Sequence, residues 1–194
     1  MKNGGGHFAP KLGGHFELES GGHFKLELGG QYDWNLHYAK TEQALRMLEM
    51  ELGNDTFKKC LVAFIDRWKY KHPTALDYFN TFSNVSKQDL NWFWQAWYYQ
   101  NAGIPDLAIK EVVKKENHFT VTIENKGDLP MPAVLSFYNN DRLIKTITTS
   151  ASQWQNHHNE IKVTFDASET ITTIKLGSDI ISDANRKDNE YSVK

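Results

Sequence analysis

Through the first half of the chain, apolar residues recur at steps of three and four; beyond Pro105 they fall on alternate positions. The first spacing predicts helices and the second predicts strands, since side chains return to one face about every 3.6 residues in a helix and every two in a strand. After Tyr32, Trp34, Leu36 and Tyr38, a first helix turns Thr41, Ala44, Leu45, Leu48 and Leu52 inward and ends at Gly53. A second, starting near Asp55, carries Phe57, Cys60, Leu61, Phe64, Ile65 and Trp68 on one face and stops before Pro73. Proline lacks the amide proton and disfavours helical geometry in the residue before it, so Lys71-His72-Pro73 is a turn. Thr74 then reads as an N-cap with Asp77 in the capping-box position, and Leu76, Phe79 and Phe82 point inward. Ser86 and Asp89 repeat the device ahead of Leu90, Phe93, Trp94 and Trp97. Asn101-Ala102-Gly103 and Pro105 form the stop.

From Leu107 the pattern has period two. Leu107, Ile109, Val112 and Val113 are followed by Phe119, Val121 and Ile123, then by Val134, Leu135 and Phe137. Leu143, Ile144 and Ile147, then Ile161, Val163 and Phe165, then Ile171, Ile174 and Leu176 complete six or seven strands, with a last one at Tyr191-Ser192-Val193. Short strands with polar turns and no helix between them predict an antiparallel β-sandwich. The fold class is thus α+β and multidomain: an all-α segment over 31–104 followed by a sandwich over 105–194. The link Ile104-Pro105-Asp106 is short, so the two units are expected to pack against each other.

Residues 1–30 are of another kind. Gly-Gly-His-Phe occurs there three times at a period of eight, which marks a leader of engineered or low-complexity character and sets it outside fold reasoning. Its histidines recur without an acidic or thiolate ligand in a zinc spacing.

Composition narrows the function classes. A formal net charge of −2 with interspersed Lys and Glu leaves no basic face and argues against nucleic acid as a partner. No apolar run approaches the ~18 residues of a membrane span. The single cysteine, Cys60, makes an internal disulfide impossible and reads as a small buried hydrophobe. Four of the six tryptophans lie between Trp68 and Trp97, and this concentration predicts core together with a helical face that needs a partner.

Among motifs that carry chemistry, none of H-E-x-x-H, C-x-x-C, G-x-S-x-G or a phosphate-binding glycine loop occurs. His157-His158 with Glu160 reads as a solvated loop beside a weaker metal reading. Asp179, Asp183, Asn185 and Asp188 offer hard oxygen ligands without the glycine and terminal glutamate of an EF-hand, so a calcium site and a plain turn both stand. Tyr38, at the start of a helix, reads on its own as half-buried packing with its hydroxyl on water or a carbonyl.

The combination of Tyr38-Ala39-Lys40-Thr41, Ala44-Leu45-x-x-Leu48-Glu49, Leu52-Gly53, Trp68-Lys69-Tyr70-Lys71-His72-Pro73-Thr74, Asp77-Tyr78-Phe79 and Asp89-Leu90-Asn91-Trp92-Phe93-Trp94-x-x-Trp97 resembles the aminopeptidase N-type gluzincin zinc metallopeptidases, bacterial enzymes in particular. The likeness covers about 31–110 and places the helices at the end of a thermolysin-like catalytic domain. It implies hydrolysis of the peptide bond next to a free N-terminus by a zinc-bound water. It also implies that the hydroxyl of Tyr38 donates to the oxyanion of the tetrahedral intermediate; Thr41, standing where the family often has glycine, is a modest departure compatible with the helix. The zinc ligands, the general base and the segment gripping the substrate amine lie upstream in that family and are not in this chain. The resemblance therefore implies a C-terminal portion, inactive alone, whose partners are the peptide substrate and the upstream catalytic lobe. Two further readings stand beside it: a non-catalytic binding or scaffolding protein with a partner-recognising sandwich, and a carbohydrate- or calcium-binding sandwich using Trp154 or the late aspartates.

Overall fold

The computed structural model describes residues 33–99 and 103–193, with side chains from 39 onward except those of 156 and 157. The leader at 1–30 lies outside the described residues. Four helices come first: α1 (Asp33–Leu52), α2 (Asn54–Trp68), α3 (Ala75–Ser86) and α4 (Asn91–Trp94), the last running directly into a π-helical turn, Gln95–Tyr99. Among the described residues seven strands follow in two antiparallel sheets, so the α+β order of helical segment and then sandwich is what the chain adopts.

The breaks between helices follow from single residues. Gly53 sits at φ 76° between α1 and α2, a left-handed conformation that glycine adopts without a Cβ clash. Thr74 caps α3 as the spacing predicts: its backbone N–H donates to Asp77 Oδ2 at 2.8 Å, and its Oγ1 accepts from the Asp77 N–H at 3.4 Å. The Thr74 amide, and after it the Thr74 hydroxyl donating to the same carboxylate oxygen at 2.8 Å, favour the ionised form and hold the Asp77 pKa below its usual range. The second capping device is different from the expected one. Ser86 is the last residue of α3, Lys87 at φ 60° ends that helix, and Asp89 Oδ1 accepts from the Asn91 N–H at 2.9 Å.

Inside the helical unit, rings interlock across α2, α3 and α4. Phe57 meets Phe82 edge-on at 5.6 Å, Phe79 stacks on Trp94 at 4.4 Å, and Phe93 stacks on Trp97 at 5.8 Å. Cys60 is buried beneath them with its thiol directed at the Phe82 carbonyl, and loss of water raises its pKa. Three inward assignments fail: Ile65 and Leu76 are both 58% exposed, and Thr41 faces solvent. On α2 the positions facing α3 are Phe57, Cys60 and Phe64, and Ile65 is turned about 100° from Phe64. On α1 it is Met47, fully buried, that joins Ala44 and Leu48.

One sheet orders β1 (Leu107–Lys115), β2 (His118–Asn125) and β5 (Glu160–Asp166); the other orders β4 (Arg142–Thr148), β3 (Val134–Asn139), β6 (Thr173–Leu176) and β7 (Glu190–Ser192). Their inner faces meet at Phe137 and Phe165, with ring centroids 4.5 Å apart. A bulge between Ile109 and Glu111 resets the register of β1, pairing Val112 with Val121 and Val113 with Thr120. Adjacent strand residues face opposite ways, and the bulge sets which valine turns inward, leaving Val113 38% exposed.

The helical unit and the sandwich touch, as the short link predicts. Residues 104–106 are laced to the turn at 126–127: the Ile104 N–H donates to the Gly127 carbonyl at 2.7 Å, and the Asp106 carbonyl accepts from Lys126 and Gly127. The indole of Trp97 donates to the Pro130 carbonyl at 3.2 Å. From the sandwich side, Trp154 donates to the next carbonyl, Met131, at 2.7 Å.

Candidate functional site

Tyr38 lies in the second turn of α1; its side chain is outside the described residues. What the described residues give is the way its helix is held. Gln43, Met47 and Glu51, four residues apart, form one ridge along α1. At one end, Glu51 Oε2 accepts from the Ala151 N–H at 2.7 Å and Oε1 from the Ser150 hydroxyl at 2.6 Å. At the other, Gln43 Nε2 donates to the Ile180 carbonyl at 3.3 Å, and its Oε1 accepts from the Ser182 hydroxyl at 3.1 Å. Between them, Met47 has no exposure. Lys40, two residues after Tyr38, is partly buried, and desolvation of its ammonium lowers the pKa.

Beside α1, the aromatic cluster includes two phenols. Burial, with smaller contributions from Tyr98 and Cys60, pushes the Tyr78 phenol well above its ordinary value, and burial pushes Tyr98 up to about 12. Both are neutral near pH 7, so they can donate hydrogen bonds and do not act as nucleophiles.

A third polar group lies where the two units join. Asp106 is flanked by Asp183 and Asp188, with Lys126 donating to Asp188 Oδ2 at 2.8 Å. Desolvation first, and the two neighbouring carboxylates second, raise the Asp106 pKa against the pull of Lys126. Asp183 also accepts from the Leu107 and Asn185 amides, and Asp188 from the Asn185 side chain. Asp183 and Asp188 therefore serve as acceptors for protein donors at this joint.

The remaining sequence candidates are dispersed. His158 and Glu160 are exposed, Glu160 pairs with Lys110, and the His157 side chain lies outside the described residues. Trp154 is 6% exposed with its indole N–H engaged, so it offers no open face on which a sugar ring could stack. Among the described residues, no group of three or more His, Cys, Asp or Glu is placed to hold a metal ion. These residues do not fit a zinc centre. No helix among them is long and apolar enough to cross a membrane. Two small hollows open on the sandwich, one beside Lys114 and Glu169 and the other beside His118 and Lys162, and no helical residue lines either.

The residues fastening α1 that sequence reasoning missed are Gln43 and Glu51. Their spacing was visible, but both types read as solvent-facing. Their partners stand 99 to 139 residues away in the chain, beyond the reach of any local pattern.

Comparison with known proteins bears on the helical half first. Residues 23–97 match the Peptidase family M1 domain. Aminopeptidase N of Lactococcus lactis subsp. lactis is 28% identical over 103 residues, which cover 50% of this chain and 12% of that protein. The crystal structure of Legionella pneumophila aminopeptidase A in complex with aspartic acid superposes with a TM-score of 0.57 at 20% identity, covering 71% of this chain and 16% of that one. That share exceeds the helical unit, so the likeness in fold reaches into the sheets. The helical part of this chain is thus similar to the corresponding part of aminopeptidase N-type peptidases, and the chain spans about an eighth of the length of the relative it matches.

Proposed function

We propose that this chain is the C-terminal portion of a zinc-dependent aminopeptidase, in which Tyr38 donates its hydroxyl to the oxyanion formed when the peptide bond next to a free N-terminus is attacked. The observation that carries this reading is the match over residues 23–97, which contains the Tyr38-Ala39-Lys40 run. A preorganised donor aimed at developing charge lowers a barrier by roughly 3–4 kcal/mol, provided that its position is fixed before the charge appears. The two-ended docking of α1 suits that requirement. Zinc, when bound in the whole enzyme, supplies the activated water; the described residues of this chain hold no ligand set for it, so their part is to carry, orient and wall the site. Exposed apolar side chains on the helices, among them Val62, Ile65, Leu76 and Tyr99, fit a face made to meet the zinc-bearing lobe. A peptide substrate and that lobe are the partners of this reading.

The test is hydrolysis of a panel of aminoacyl fluorogenic substrates by the chain alone and after mixing with the zinc-binding lobe. The expected result is activity in the mixture only, falling 10²- to 10³-fold in Tyr38→Phe. A mixture that forms a complex and stays inactive refutes the proposal in favour of a scaffold or binding module.

A further inference from the structure

We infer that Gln43 and Glu51 are positioning residues for Tyr38, and that the β-sandwich acts as the jig against which the helix bearing that tyrosine is aligned. The inference rests on the proposed role of Tyr38 and deepens it.

The argument is geometric. Gln43 and Glu51 are about 12 Å apart along α1, and Tyr38 lies about 7.5 Å beyond Gln43. A helix fastened at Glu51 alone could pivot there. With about 20 Å between residues 51 and 38, a tilt of roughly 10° would carry the backbone at Tyr38 sideways by about 3 Å. Misplacement of a catalytic group by about 1 Å can cost a hundredfold in rate. The second fastening at Gln43 removes that freedom.

Each fastening is also double, which fixes rotation as well as tilt. The Glu51 carboxylate takes one backbone and one hydroxyl donor from residues 150–151, and the Gln43 amide gives one hydrogen bond and takes one at residues 180–182. The four bonds use separate loops of the sandwich, one before β5 and one between β6 and β7. By contrast, the Glu42–Arg46 pair on α1 is exposed and internal to the helix. Both of its hydrogen bonds run within the helix and fasten it to nothing else.

The test uses the full chain with 3-fluorotyrosine in place of its eight tyrosines, the position-38 resonance being assigned by its loss in Tyr38→Phe. In Glu51→Ala and Gln43→Ala this resonance is expected to shift or broaden while the other seven keep their dispersion. Glu51→Gln, which retains an oxygen able to accept from the Ala151 N–H, is expected to restore it, and Arg46→Ala to leave it unmoved. Ser150→Ala and Ser182→Ala, which cut the fastenings from the sandwich side, are expected to act in the same direction should a helix variant fail to fold. In the mixture with the zinc-binding lobe, Glu51→Ala is expected to lower kcat tenfold to a hundredfold with KM within about twofold. An unmoved position-38 resonance in both alanine variants, each still folded, overturns the inference. A resonance that responds while Tyr38→Phe keeps full activity in the mixture leaves the alignment standing and refutes the catalytic role instead.

Discussion

Replacing Gly127 with alanine tests the join between the two units. A Cβ on Gly127 would lie 2.0 Å from the Ile104 carbonyl oxygen and 2.8 Å from both the Ile104 carbonyl carbon and the Asp106 nitrogen. All three are backbone atoms, so no side chain can swing away, and the segment 104–106 must retreat by roughly 1.5 Å to restore ordinary contact. A shift of that size breaks the bonds from Ile104 N–H to the Gly127 carbonyl at 2.7 Å and from the Lys126 and Gly127 amides to the Asp106 carbonyl at 2.9 and 3.2 Å. At about 1 kcal/mol net for each bond, the expected cost is about 3 kcal/mol. Gly177 is the control, because it has φ 97° and a Cβ there would meet nothing within 4 Å; alanine at that position bears only the left-handed penalty of about 1–2 kcal/mol. Urea denaturation followed by far-UV circular dichroism measures both by linear extrapolation. A Gly127→Ala loss no larger than that of Gly177→Ala would show that the close approach does not hold the units together.

Two further outcomes follow from the helix cap and the acidic joint. Thr74→Ala removes the reciprocal cap of α3 and is expected to cost about 1 kcal/mol, read as a lower urea midpoint; an unchanged midpoint would mean that the Pro73 turn alone sets the start of α3. Asp106→Asn is expected to raise Tm near pH 7. Because burial and two neighbouring carboxylates raise the folded pKa of Asp106, its protonated form suits the fold. The native aspartate is favoured below its unfolded pKa, and that advantage is lost as pH rises through the folded value. The gain from asparagine must therefore shrink as pH falls into the acid range, and a gain that is constant with pH would refute the attribution to charge.

How much was legible in the sequence varies with the distance over which each feature is decided. The Thr74–Asp77 box, the stop at Pro73 and the order of helices before strands are set by near neighbours, and the chain adopts them. Ile65 and Leu76 look inward by type, but which side of a helix becomes inner is decided by the helix that packs against it. In β1, likewise, one bulged residue decides which of two adjacent valines turns inward, and it leaves Val113 outside. At the candidate site, Tyr38 was legible as a candidate through its neighbours in the Tyr-Ala-Lys-Thr run. Gln43 and Glu51 were not, since a polar residue becomes an anchor only when a distant loop presents the matching donor or acceptor.

The adjacent carbonyls of Pro130 and Met131 bear on where this chain can be cut. Pro130 and Pro132 carry no amide proton, which makes the segment rich in acceptors and poor in donors. Indole supplies a donor and no acceptor, and one comes from each side: Trp154 from the sandwich and Trp97 from the helices. Truncation at the apparent boundary near residue 104 would strip the Pro130 carbonyl of its indole donor. The smallest piece expected to melt as one unit thus begins before the π-helical turn, and expression boundaries for the sandwich belong upstream of Trp97.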